Sequence, residues 1–151
     1  ACPGLTTVLV EAQSDRREAV GAAIPGLMAE VEPAVGTLHE VDVTYDGEDL
    51  AWVCEHLDLT LDALVALHSE PLYDVRLLGS PGFVYLSDVR PEIAVPRLSE
   101  PRQMVSAGSV GIGGRQAGIY GRARPGGWRI LGRAAAVPMI VPGDRVRFVP
   151  R

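Results

Sequence analysis

Between Val105 and Arg133 the chain carries nine of its 17 glycines: Gly108, Gly111, Gly113, Gly114, Gly118, Gly121, Gly126, Gly127 and Gly132. Glycine loses more backbone freedom on folding than any other residue, so this density is costly inside regular elements. It suits a backbone that must turn at positive φ or approach a neighbour closely. Short apolar pieces alternate with the glycines: Ser109-Val110, Ile119-Tyr120 and Trp128 to Leu131. The spacing predicts short strands joined by tight turns, the texture of a small β-barrel. Five arginines lie in the same stretch: Arg115, Arg122, Arg124, Arg129 and Arg133.

Charge is divided unevenly along the chain. Residues 1–104 hold 6 Arg and 18 acids, and residues 105–151 hold 8 Arg and 1 acid, within an overall charge of −5. Every fixed cation is a guanidinium, because the sequence has no lysine. Two readings follow: contact between acidic and basic parts of one fold, or a site for an anionic ligand or acidic partner. Nucleic acid is not expected, since the basic part has few aromatics to stack bases. No apolar run approaches the length of a membrane span. The start, Ala1-Cys2-Pro3-Gly4, lacks the pattern of a signal peptide. Two cysteines make a poor disulfide framework, and Cys54 reads as a buried free thiol. A soluble cytoplasmic protein is the expectation.

Along the chain, residues 5–11 read as a strand rich in β-branched residues. A helix starts near Asp15 and Glu18 and is expected to break at Pro25-Gly26. Residues 32–36 read as a linker, giving an expected division into a partial α/β segment at 1–35 and a barrel domain at 38–151. Val41, Val43 and Tyr45 alternate with Asp42 and Thr44, predicting a strand with one buried face. Leu50, Val53, Cys54 and Leu57 recur at helical spacing. Thr60 is placed to cap a second helix whose face holds Leu61, Leu64, Val65 and His68, ending at Glu70-Pro71. Tyr73 to Leu78 reads as a strand, residues 87–104 as connecting loop with short extended pieces, and Arg145 to Val149 as a last strand after the turn at Val141 to Asp144.

The chemistry-bearing candidates are few. His68 is read either as a structural histidine or as a neutral imidazole exchanging a proton near substrate. His39 and His56 read as surface residues. Gln116 offers donor and acceptor to an amide or lactam. Ser109, Gly113, Gly114, Arg115 and Arg133 suggest an anion nest, although the stretch is neither a P-loop nor a dinucleotide fingerprint. Gly82, Phe83 and Tyr85 follow a Pro-Gly turn, and Tyr120 and Trp128 are either core aromatics or ligand contacts. Gly126 and Gly127 form a turn that can also meet a ligand. Asp46, Glu48 and Asp49 are accounted for by helix N-terminal electrostatics. No metal-ligand spacing occurs.

The string Ala107-Gly108-Ser109-Val110-Gly111-Ile112, continuing through Gly114, Gln116, Gly118-Ile119-Tyr120, Pro125-Gly126-Gly127-Trp128 and Gly132-Arg133, resembles one family. It is the family that includes allophanate hydrolase subunit 1, the B subunit of 5-oxoprolinase and the Kip-type histidine-kinase inhibitor, and that also occurs in the carboxyltransferase part of urea carboxylase. Tyr45 to Leu50, and His68 with Tyr73, fit the same resemblance. Ala117, Gly121, Arg124 and Ala134 depart from it, and the segment around Gly79 to Leu86 is two residues shorter. The resemblance implies a cyclophilin-like β-barrel with two short helices, preceded by the tail of a ferredoxin-like domain of which most is missing.

It implies the B subunit of an ATP-dependent 5-oxoprolinase, opening the lactam of 5-oxoproline to glutamate and inactive alone. The expected partners are the homologous C subunit and the separate A subunit, with ATP used by the complex. His68 and Gln116 are the expected catalytic residues. The alternatives are a urea-directed carboxyltransferase or allophanate-hydrolase component, with biotin as cofactor, or a kinase inhibitor without turnover.

Overall fold

The computed structural model describes residues 2–3, 8–9, 13–30, 36–79 and 82–151. They form two compact units, residues 1–35 and 36–151. In the first, β1 (Cys2–Pro3) pairs antiparallel with β2 (Val8–Leu9). The remainder of the strand expected at 5–11 lies outside the described residues, as does most of the expected linker. A 3-10 turn at Ser14–Arg16 leads into α1 (Arg17–Glu30), which runs through Pro25 without a break. The expected interruption is therefore corrected. Proline removes one hydrogen bond and crowds the carbonyl four residues back, which here belongs to Gly21, and the alanines around it favour helix.

The second unit is a closed barrel. Its strands are β3 (Leu38–Thr44), β4 (Tyr73–Gly79), β5 (Phe83–Asp88), β7 (Ser109–Gly113), β8 (Gln116–Tyr120), β10 (Arg129–Ala134) and β11 (Arg145–Pro150). Around the barrel the order is β10-β3-β11-β4-β5-β8-β7. Every neighbouring pair is antiparallel except β11 and β3, which run parallel from Arg145 opposite Leu38 to Pro150 opposite Val43. The stretch expected to be loop with short extended pieces leads into β6 (Arg102–Val105), which pairs with β9 (Arg124–Gly126) in a separate two-stranded sheet. Two helices, α2 (Leu50–Leu57) and α3 (Leu61–Ser69), connect β3 to β4.

Strand periodicity explains the core. Val41 and Val43 of β3, Val75 of β4, Leu86 of β5, Ile119 of β8 and Phe148 of β11 are all buried in one cluster. Val53 of α2 and Leu64 of α3 join the same cluster. Cys54, expected to be buried, is a free thiol at the half-buried edge of that cluster. Thr60 caps α3 as expected, its hydroxyl accepting from the Ala63 N–H at 3.2 Å. Leu61, expected on the buried face, is 46% exposed because it sits in the first turn, before the helix face reaches the core.

Much of the charge asymmetry is used within the fold. Arg115, Arg129, Arg133, Arg147 and Arg151 pair with Asp88, Asp49, Asp46, Glu40 and Asp42 respectively. His39, expected on the surface, is half-buried and meets Asp144 at 2.9 Å. The Asp144 carboxylate also accepts from the backbone N–H groups of Thr37 and Val141, at 2.8 and 3.0 Å. The Val141 bond foremost, then the His39 bond, hold this carboxyl below its usual range.

Asp49 ties elements together rather than serving α2 alone. It occupies the cap position of that helix without making a side-chain cap bond. Its carboxylate accepts from the Ile130 N–H at 2.7 Å, from Arg102 at 2.9 Å and from Arg129 at 3.5 Å. Removing it leaves the buried Ile130 N–H unpaired and takes a carboxylate from both Arg102 and Arg129. Asp49→Ala is expected to lower unfolding stability by about 3 kcal/mol in urea titrations. Asp46→Ala, which breaks the exposed pair with Arg133, is expected to cost about 0.5 kcal/mol.

Candidate functional site

The alternation that fills the barrel also builds a second apolar surface outside it. On β5, Val84 and Leu86 face inward, while Phe83 and Tyr85 join a separate cluster. On β8, Ala117 and Ile119 face inward, and Tyr120 joins Phe83. On β10, Ile130 belongs to the outer cluster and Leu131 to the inner one. Trp128, just before β10, and Val105 of β6 complete the outer cluster.

Four aromatic rings meet there. The Phe83 ring lies 4.6 Å from Tyr85, 4.7 Å from Tyr120 and 4.9 Å from Trp128, centroid to centroid, in edge or tilted contacts. Edge-to-face geometry matches the positive rim of one ring to the negative face of the next. Gly118 makes this possible: a Cβ there would fall 2.5 Å from the Phe83 ring.

The β6–β9 sheet and the loop from Arg97 to Pro101 rise beside these rings and leave a groove of about 370 Å³. Its walls are Phe83, Tyr85, Tyr120 and Trp128 on one side, with Arg97, Leu98, Pro101 and Arg124 to Gly127 on the other. The Leu98 N–H donates to the Gly127 carbonyl at 2.7 Å, fixing loop to strand. Arg102 donates to the Trp128 carbonyl at 3.3 Å and also pairs with Glu48 and Asp49.

Two guanidinium groups border the groove. Arg97 stacks 4.8 Å above the Trp128 ring, and Arg124 lies 5.9 Å from the Phe83 centroid. Arg97 forms no ion pair among the described residues. Beneath them the Tyr120 hydroxyl is buried, close to the Trp128 main chain but without a well-formed hydrogen bond among the described residues. Burial raises its pKa, opposed by the Trp128 main chain and by the Arg124 and Arg102 cations. Gly126 lies over this hydroxyl so closely that a Cβ would come within 2.1 Å of it.

Of the residues singled out in the sequence, the structure gathers Phe83, Tyr85, Tyr120, Gly126, Gly127 and Trp128 into this groove. Gly113 lies against its base, where its backbone abuts Trp128 and Arg97. Gly114, Arg115 and Gln116 form the turn and strand start after β7. Gly114 bridges to Val95, Arg115 pairs with Asp88 at 3.3 Å, and Gln116 is half-buried opposite Asp88. Ser109 is buried at the start of β7, in register with Arg133, whose guanidinium is held by Asp46. Gly82, at φ +72°, lines a different groove of about 440 Å³ with Arg122, Val137 and Met139.

The structure does not bring His68 to the aromatic groove. Its ring is fully buried, stacked 4.7 Å from Phe148, with Nδ1 2.8 Å from the Tyr45 hydroxyl. Nε2 has no partner among the described residues. Burial pushes the imidazole pKa down to about 3, and pushes the Tyr45 and Tyr73 phenols up. Here the helical spacing signalled a core position.

Arg97, Leu98 and Pro101 were not singled out from sequence, because the prolines of 87–104 read as connecting loop with short extended pieces. The prolines themselves were the available signal, since they stiffen the segment that holds Arg97 in place. Among the described residues no group of His, Cys, Asp and Glu is arranged to hold a metal, and no helix is long and apolar enough to cross a membrane.

Residues 1–144 match the family described as carboxyltransferase domain, subdomain C and D. A protein of Escherichia coli O157:H7, named as the B subunit of 5-oxoprolinase, is 45% identical over 125 residues, covering 74% of this chain and 57% of that protein. The chain thus spans just over half the length of that relative. Among solved structures, a conserved uncharacterized protein from Pyrococcus horikoshii, PH0987, superposes with a TM-score of 0.72 at 42% identity, covering 89% of this chain and 69% of that one. The Kluyveromyces lactis urea carboxylase, at 16% identity and a TM-score of 0.63, shares the fold over 90% of this chain and 16% of its own.

Buried and neutral, His68 binds fewer protons in the fold than in the unfolded chain. Its stabilising effect is therefore complete above the ordinary value of 6.5 and is lost as pH falls toward about 3. Between pH 6 and 4 this contributes a loss of about 1.4 kcal/mol per unit. Denaturant unfolding at several pH values is expected to show this slope in the native chain and its absence in His68→Gln.

Proposed function

We propose that this chain, which belongs to the carboxyltransferase subdomain C and D family, is part of the B subunit of a 5-oxoprolinase. It would contribute to the ATP-dependent opening of the lactam of 5-oxoproline to glutamate, working with partner subunits and inactive alone. The observation that carries this reading is the 45% identity to a relative named for that activity. The aromatic groove, with arginines at its border, supports it as a place for a small anionic ring.

The role suits the groove's chemistry. Opening a stable amide calls for phosphoryl activation, and guanidinium groups can steady the charge that develops. Arg97, which is exposed, and Arg124, which is half-buried, stand beside the aromatic rings where such charge could be met. His68, neutral and remote from these residues, is assigned the structural role and Gln116 a place at the β7–β8 turn. The urea-directed reading has one observation in its favour, the shared fold with urea carboxylase.

The test is ADP release by the chain purified together with its partner subunits. Lactam-dependent ADP formation that disappears when this chain is omitted is the expected result. A well-formed complex that turns over a urea-derived substrate and ignores 5-oxoproline would replace the proposal with the urea-directed one.

A further inference from the structure

We infer that the aromatic groove binds a small amide-bearing carboxylate, with Arg97 taking the carboxylate and the Tyr120 hydroxyl taking the amide. The inference rests on the reading of the chain as part of a lactam-opening enzyme, and it assigns the two ends of the ligand to two residues. Three observations carry it.

The first is the state of Arg97. Its neighbours Arg102 and Arg129 are neutralised by Glu48 and Asp49. Arg97 instead stacks on Trp128 at 4.8 Å and forms no ion pair among the described residues. A guanidinium held by its face keeps its in-plane N–H donors for a bidentate acceptor, the geometry that a carboxylate supplies. One such fork, with Arg124 beside it, suits a single carboxylate better than a polyphosphate.

The second is the Tyr120 hydroxyl, buried, with only the Trp128 main chain near it and no well-formed hydrogen bond among the described residues. An orphaned buried hydroxyl costs stability, and Phe at this position would avoid the cost. A lactam offers that hydroxyl both a C=O and an N–H. The third is what covers it: Gly126, in a strand of three residues whose pairing is with β6. With no side chains at Gly126 and Gly127, only backbone stands between the groove and the hydroxyl beside Trp128.

The test is calorimetric titration of the chain with 5-oxoproline, with 2-pyrrolidinone (the same ring without the carboxylate) and with proline (the carboxylate without the amide). Measurable binding of 5-oxoproline, with each of the other two at least about tenfold weaker, is the expected result. Arg97→Gln is expected to weaken 5-oxoproline by about tenfold and to leave 2-pyrrolidinone unchanged. Tyr120→Phe is expected to weaken binding while raising the melting temperature of the free chain, a pairing of effects that a merely structural tyrosine does not give.

Equal affinity for 5-oxoproline and 2-pyrrolidinone, or full affinity in Arg97→Gln, would overturn the assignment. So would a chain that binds none of the three while its assembled complex turns over 5-oxoproline, in which case the proposed function stands and the ligand lies elsewhere. Binding of 5-oxoproline with the stated variant effects, in a complex that never turns it over, supports the site and defeats the proposed function. A urea-derived amide carboxylate that binds more tightly, and still depends on Arg97 and Tyr120, supports the site and identifies the source.

Discussion

The Asp49 carboxylate is the interaction on which the arrangement of the barrel unit depends. It sits at the start of α2, receives the Ile130 N–H of β10 at 2.7 Å, and pairs with Arg102 of β6 at 2.9 Å. A buried carboxylate is tolerable only when its oxygens are fully used, and here hydrogen bonds and two guanidinium groups use them. Through Arg102, which also donates to the Trp128 carbonyl, the barrel is connected to the small sheet beside it. The position of the groove wall thus follows from a charge whose partners come from elements far apart in sequence.

The second constraint is the two-residue period of the strands. One set of strands supplies a packed barrel interior from one face and an aromatic platform from the other. Val84 and Phe83, or Ile119 and Tyr120, are sequence neighbours that belong to different clusters. Ile130 and Leu131 of β10 part in the same way. Barrel packing and the lining of the groove are therefore separated within single strands, and substitutions at adjacent positions are expected to act on different properties.

Much of this was legible in the sequence where the signal is local. The glycine-rich stretch marked a turn-rich β unit, the Val41 and Val43 alternation marked β3, and Thr60 marked the start of α3. Six of the groove residues were also visible as aromatics or glycines among turns. What stayed hidden depends on partners distant in sequence. Asp49 looked like helix electrostatics because its partners lie 53 to 81 positions away. The parallel pairing of β11 with β3 joins the two ends of the unit. Arg97 looked like loop because nothing nearby in sequence shows that Trp128 lies beneath it. His68 was ambiguous for a different reason: helical spacing says that a face is buried, and not whether a buried imidazole faces a substrate or a core.

The most direct test of the central claim, that the outer aromatic groove is where this chain meets its ligand, is a nuclear magnetic resonance titration with 5-oxoproline that follows the two tryptophan indole N–H signals. Trp128 lines the groove, whereas Trp52 lies under Arg129 on α2. The account predicts that the Trp128 signal and the backbone signals of Gly126 and Gly127 move together, while Trp52 stays in place. Shifts confined to the neighbourhood of His68, or to Val137 and Met139 around the second groove, would contradict it.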